Sequence, residues 1–234
     1  MSAQSPDKSV ARIAGMFNDI APHYDFLNHF LSLGFDYLWR RRLVRHIAKR
    51  KPQHILDVAT GTGDLALLLQ RKTNAAVTGI DIAGDMLFIA KKKASKLEKL
   101  CFMQAQAEAL PFPDGSFDAV TVAFGVRNFE NLRQGLAELR RVLKPGGALA
   151  VLELATPLPF PLKQLYRFYS SRLIPFFGRL ISTHRTAYCY LPQSINAFPQ
   201  REAFLSELEH TGFTTLNYCS FTGGVCCFYT ANKK

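Results

Sequence analysis

The spacing of apolar positions changes along the chain. Over residues 10–50 they recur at helical intervals and predict helices at Val10–Asn18, Phe26–Leu33 and Asp36–Arg50. Asp36, two residues after Gly34, is placed to cap the third helix. In that helix Trp39, Leu43 and Ile47 form an apolar stripe, and Arg40, Arg41, Arg42, Arg45, Lys49, Arg50 and Lys51 fall on the other face. From residue 54, short β-rich runs alternate with helical ones. The strands predicted are His54–Ala59, Ala76–Ile82, Leu100–Ala105, Phe117–Phe124 and Gly147–Glu153, with helices at Leu65–Arg71, Asp85–Ser95 and Leu132–Leu143 between them. Such alternation predicts an α/β fold, a parallel sheet covered by helices on both faces. Thr214–Phe221 and Val225–Ala231 read as two closing strands. Thr222-Gly223-Gly224 joins them as a tight hairpin, which makes the last strand antiparallel to its partner. Residues 1–8 read as a polar, frayed end.

Composition narrows the class. The chain has 234 residues, 48% hydrophobic and 20% charged, which fits one globular domain. Its parts are a helical lid over 10–50, a cofactor-binding core over 52–155, an aromatic and basic insertion over 156–198, and a helix and β-hairpin over 199–234. The net charge of +11 points to an anionic partner surface, nucleic acid or acidic lipid. The five cysteines include no C-x-x-C pair, so they read as small core residues in a reducing, cytoplasmic compartment. No cluster has metal-ligand spacing, so no metal is expected. No apolar run is long enough to span a bilayer, and the polar N-terminus argues against a signal peptide.

The candidate chemistry lies at the first strand–turn–helix, Ile55 to Asp64, where Gly61 and Gly63 allow the backbone to approach a ligand. Two cofactors compete for this pattern. Gly61-x-Gly63-x-x-Ala66, with Asp81 at the end of the second strand, satisfies a dinucleotide fingerprint. Asp64 opposes it, because a carboxylate in the first helical turn repels a pyrophosphate. Asp57, Asp64 and Asp81 instead read as a cation site, suited to the sulfonium and ammonium of S-adenosylmethionine. The other reading of Asp64 is a helix residue placed favourably toward the dipole.

Several motifs together resemble the ubiquinone and menaquinone biosynthesis C-methyltransferases. They are Asp57-x-Ala59-x-Gly61-Thr62-Gly63-Asp64, Gln106-Ala107-Glu108-Ala109-Leu110-Pro111-Phe112, Phe124-Gly125-Val126-Arg127-Asn128, and Arg141-Val142-Leu143-Lys144-Pro145-Gly146-Gly147. An N-terminal motif, Phe17-x-x-Ile20-Ala21-x-x-Tyr24-Asp25-x-x-Asn28 with Ser32-x-Gly34 and Trp39-Arg40, belongs to the same group, as does Tyr188-x-Tyr190-Leu191-x-x-Ser194. The resemblance implies a Rossmann-like, class I methyltransferase with a seven-stranded, mostly parallel sheet whose last strand is antiparallel. It implies S-adenosylmethionine as cofactor, with Thr62 and Asp81 in contact with it. Gln106 and Ala107 would flank its adenine, and Ala123 would line the same pocket. Gln106 stands where the family often has Asn, and Ala123 where it often has Ser or Asn.

The implied reaction methylates a ring carbon of a prenylated quinol, demethylmenaquinol first and a 2-methoxy-6-polyprenyl-benzoquinol next. An aromatic carbon attacks well only when a neighbouring hydroxyl becomes a phenolate. Arg127 is the candidate to stabilise that oxyanion. Tyr24 is the candidate to relay the proton, through water to Asp25 or a nearby carboxylate, and His23 is the rival base. A polyprenyl substrate implies an enzyme held peripherally at the inner face of the membrane. Leu158–Ile181 interleaves Phe160, Tyr166, Phe168, Tyr169, Phe176 and Phe177 with Lys163, Arg167, Arg172 and Arg179, a mixture suited to a membrane interface or the prenyl tail. His184 and Arg185 sit beside it. A buried helix pair and a homodimer contact are the other uses of such a segment. Its aromatics lie among Leu, Ile and Pro, not along an exposed strand, so no nucleic-acid partner is expected. An RNA or small-molecule methyltransferase and a non-catalytic cofactor-binding partner remain the rival functions.

Overall fold

A computed structural model describes residues 7–157, 164 and 185–234. The aromatic and basic residues of the segment 158–181 and His184 lie outside the described residues, as do the side chains of Arg185, Tyr188 and Cys189.

Three helices come first: α1 (Val10–Ile20), α2 (Tyr24–Leu31) and α3 (Phe35–Ala48). The core follows as β1 (His54–Val58), α4 (Asp64–Thr73), β2 (Ala76–Asp81), α5 (Gly84–Lys93), β3 (Leu100–Gln104), β4 (Phe117–Ala123), α6 (Leu132–Val142) and β5 (Leu143–Leu154). The chain closes with α7 (Arg185–Ala197), α8 (Glu202–His210), β6 (Phe213–Phe221) and β7 (Cys226–Lys233). The seven strands form one sheet in the order β3-β2-β1-β4-β5-β7-β6. β7 runs antiparallel to both β5 and β6, and the other pairings are parallel. The predicted α/β class and the antiparallel last strand are therefore present.

Strand periodicity sorts the core into two layers. In β5, Leu149 and Val151 face α6 and α8, while Ala148, Ala150 and Leu152 face α3 and α4. Trp39, Leu43 and Ile47 of α3 are buried in the second layer, as the stripe predicted.

Four local expectations change. Asp36 does not cap α3: Gly34 holds that position at φ +77°, and Asp36 is buried inside the first turn. Arg40 leaves the cationic face for the same reason, since it is buried against the Asp36 carboxylate. β5 starts four residues early: Leu143 pairs with Phe117, the chain bulges, and pairing resumes at Ala148 with Ala119. Cys226 and Cys227 are buried as expected of core residues, but Cys101 and Cys219 are exposed at sheet positions turned to solvent.

Candidate active site

The order of strands reverses between β1 and β4, and ligands of open α/β sheets bind at such a point. The turn after β1 opens there. Ala59, Gly61 and Gly63 all take positive φ, of 53°, 58° and 83°, which curls the backbone under a cavity and leads into α4. The turn is braced from below: both the Thr60 and Thr121 hydroxyls donate to Asp57 at 2.6 Å. Asp57 is 1% exposed, and burial pushes its carboxyl up to about 6 against those two hydrogen bonds.

The first cavity is a cleft of about 690 Å³, part of it open to solvent. Its walls include Gly61, Asp81, Ile82, Met86, Ala107 and Ala123. Asp81 accepts from the Gly61 N–H at 2.8 Å and the Ala83 N–H at 2.9 Å, so it ties the Gly turn to the end of β2. Burial raises its carboxyl, partly offset by those backbone bonds. A carboxylate beside a small-residue apolar slot fits a nucleoside: the acid for ribose hydroxyls, the Ile82, Met86 and Ala107 walls for a purine. Gly125 lets the β4 loop approach closely, since a Cβ there would lie 2.4 Å from the Ala59 Cβ.

The three predicted carboxylates do not share this crevice. Asp81 lines it, Asp57 lies beneath the turn, and Asp64 points away to Lys93 at 2.8 Å. Lys93 also holds Asp25, and Asp25 accepts from the Thr62 hydroxyl, which pins α2 to the Gly turn. Thr62 is buried there and does not line the cavity. Gln106 is exposed beside the cavity, while its neighbours Ala105 and Ala107 line it. Gly63 shapes the backbone against Ala90 and Phe102.

A second cavity, of about 1420 Å³, lies against the first and is mainly apolar. Met16, Ile20, Leu27, Leu31, Trp39 and Leu154 are among its walls. Phe17, Tyr24 and Phe124 line both cavities and form the partition. Burial raises the Tyr24 hydroxyl, more than Asn28, Arg127 and Arg40 lower it, so Tyr24 stays protonated at neutral pH. Arg127 lines the second cavity, 5% exposed, and pairs with Glu153 at 2.7 Å. Burial opposes its charge, and Glu153 and Tyr24 outweigh burial, so the guanidinium is held above its ordinary range. Its Nε is buried with no hydrogen-bond partner among the described residues. His23 is exposed at the end of a short 3-10 turn and lines neither cavity.

Several residues in or beside the two cavities carry no role in the sequence reading. Asn28, Asn128 and Tyr190 stand inside the quoted motifs, and the Tyr190 hydroxyl donates to Asn128 at 3.0 Å. Glu153 had a fainter signal: a lone acid at the end of an otherwise apolar strand.

A model of the ubiE/COQ5 methyltransferase family matches residues 5–233. The chain is 45% identical over 230 residues to a demethylmenaquinone methyltransferase of Bacteroides fragilis, covering 97% of this chain and 94% of the relative. It is 48% identical over 220 residues to a demethylmenaquinone methyltransferase of Thermus thermophilus, covering 93% of this chain and 100% of the relative. Among solved structures, a SAM-dependent methyltransferase of Thermotoga maritima superposes with a TM-score of 0.65 at 18% identity, over 94% of this chain and 99% of that one.

Proposed function

The chain belongs to the ubiE/COQ5 methyltransferase family and is an S-adenosylmethionine-dependent C-methyltransferase, and from that premise we propose that it converts demethylmenaquinol to menaquinol. The observation that carries this reading is the pair of adjoining cavities: a polar-floored nucleoside slot and a larger apolar chamber, divided by Tyr24. When bound, the cofactor supplies an electrophilic methyl group. Gly61, Asp81, Met86 and Ala107 would hold it in the first cavity.

The chain's own residues prepare the acceptor. The apolar walls of the second cavity suit a prenylated ring, and each tail methylene taken from water contributes about 0.8 kcal/mol. Arg127 stabilises the ring oxyanion, using a donor that no other described group occupies. Tyr24, kept protonated, donates toward the reacting ring at the partition and holds the ring edge toward the cofactor slot. The remaining contribution is alignment of ring carbon and methyl group, which positioning supplies.

Contact with a bilayer belongs to the same reading. The α2–α3 turn exposes Leu33, Tyr37 and Leu38 at 77%, 49% and 55%, and Leu33 also lines the second cavity. Arg41, Arg42 and Arg45 continue the Leu38 face of α3, all exposed. An apolar tip with a basic collar suits an anionic lipid surface, each basic residue adding about 1 kcal/mol.

The test is a transfer assay with purified protein, labelled S-adenosylmethionine and demethylmenaquinol in detergent. Label in menaquinol supports the reading. Cofactor binding with no labelled menaquinol contradicts it.

A further inference from the structure

Methylating a ring carbon with a sulfonium releases one proton. The quinol O–H bond breaks and its proton must leave the site. The ring carbon gains the methyl, the sulfur keeps the electron pair of the broken C–S bond, and the C–H proton freed on rearomatisation returns to the ring oxygen. A mainly apolar chamber offers few polar groups to carry the outgoing proton from the ring. Arg127 is a cation and cannot take it, Tyr24 is hydrogen-bonded to the Asn28 side chain and to no carboxylate among the described residues that could receive a proton from it, and Asp25 is held by Thr62 and Lys93 and lines neither cavity.

Resting on the quinol reading, we propose that Ser32, Asp36 and His29 are that route, carrying the hydroxyl proton from the acceptor cavity to solvent. Ser32 and Asp36 both line the second cavity, and Asp36 is the one carboxylate among its described walls. The Ser32 hydroxyl donates to Asp36 Oδ1 at 2.6 Å. Asp36 Oδ2 lies 2.7 Å from His29 Nδ1. His29 lines neither cavity, and its side chain is 22% exposed against 3% for Asp36. The three therefore step outward: hydroxyl and carboxylate at the chamber wall, imidazole at the water side.

The surroundings suit transfer over storage. Burial pushes the Asp36 carboxyl up, and Ser32, Arg40 and His29 together outweigh burial, so it is held below its usual range. A carboxylate held in that state passes a proton on instead of keeping it. His29 is faced from α3 by Asp36 and by the Tyr37 ring, stacked at 4.2 Å, and from α4 by Asp64, whose Oδ2 lies 3.6 Å from its Nε2. Behind these stand Arg40, paired with Asp36, and Lys93 of α5, paired with Asp64 and Asp25. The imidazole thus has one nitrogen toward the chamber's carboxylate and the other toward a partly exposed acid. An Asp36–Arg40 pair would need neither Ser32 nor a histidine to be satisfied as a structural ion pair.

The experiment is His29→Asn, which retains a donor toward Asp36 and does not titrate. With demethylmenaquinol, kcat is expected to fall by about 10²-fold with KM within about twofold, the range of a lost acid–base group. The dependence of kcat on pH is expected to differ between the variant and wild type. His29→Ala is expected to regain about tenfold with added imidazole, which a structural role alone does not give. A second readout needs no turnover. With S-adenosylhomocysteine in the cofactor slot and oxygen excluded, the phenolate absorbance of bound quinol after a jump to higher pH is expected to rise about 10²-fold more slowly in His29→Asn than in wild type. If the variant melts far below wild type, Ser32→Ala carries the same kinetic and spectral tests. Wild type that makes no menaquinol overturns the quinol reading and the relay with it. Wild type that turns over while His29→Asn matches its rate and pH profile overturns the relay alone.

Discussion

Burial holds the Asp57 carboxyl at about 6 because two threonine hydroxyls are the hydrogen bonds it keeps in exchange for water. Its unfolded counterpart ionises near 3.8, so the unfolded chain loses this proton first as pH rises. The contribution to stability is therefore fully present below about pH 4, declines through pH 6, and is gone above it, a change of about 3 kcal/mol. Asp57→Asn is expected to remove that decline, read as a flatter midpoint against pH in urea unfolding between pH 4 and 7. Arg127 poses the opposite problem. Arg127→Met strands Glu153 in the core and is expected to cost about 3–5 kcal/mol. Adding Glu153→Gln should restore part of that stability in thermal melts, while kcat stays about 10²-fold down because the oxyanion donor is still missing. These two sites mark what spacing reveals at this scale. Asp57, Asp64 and Asp81 are equally visible as acids around a glycine turn. Only the strand's alternation and the helix's rotation decide that one lines the cavity, one lies under the turn and one meets Lys93. Residue type gave the candidates, and direction was set by packing partners distant in sequence.

Elements were legible where burial dictates one period. The parallel strands are near-continuous apolar runs because helices cover both faces, and α3 announced itself by the Trp39, Leu43, Ile47 stripe. The start of β5 was hidden because Lys144 to Gly147 reads as a turn while the chain merely bulges there and returns to register. The burial of Arg40 was hidden because its partner Asp36 read as a cap. The β4 loop depends on close backbone approach. Gly125→Ala would set a Cβ 2.4 Å from the Ala59 Cβ and 3.3 Å from Val122 Cγ1. The expected cost is about 1–3 kcal/mol of stability, as for other overpacked sites. With the Gly turn displaced, S-adenosylhomocysteine binding should weaken by about tenfold in calorimetry, since the turn and the loop wall the same slot. The α2–α3 tip is expected to act at a lipid surface. Leu33→Asp with Leu38→Asp should lower sedimentation with anionic vesicles by about tenfold or more, given the apolar area withdrawn. KM should rise for vesicle-borne quinol and stay unchanged for a short-tailed, water-soluble analogue.

At the scale of the whole molecule, the helices before the sheet and the strands after it enclose one reaction space. α1 and α2 roof the nucleoside slot, and α3 and the β6–β7 turn close the apolar chamber, joined by the Trp39 N–H donating to Thr222 at 3.0 Å. The two compartments meet only across Phe17, Tyr24 and Phe124 among the described residues, which is the geometry a methyl donor and a greasy ring acceptor require. Among those residues no helix is long and apolar enough to cross a membrane. The central claim is the identity of the ring. It is tested most directly by comparing kcat/KM for demethylmenaquinol and for 2-methoxy-6-polyprenyl-benzoquinol with the same prenyl tail, in the same detergent. A clear preference for demethylmenaquinol, with labelled menaquinol as product, is the predicted result. Turnover of the benzoquinol alone, or of neither quinol by protein that binds S-adenosylhomocysteine, would contradict it.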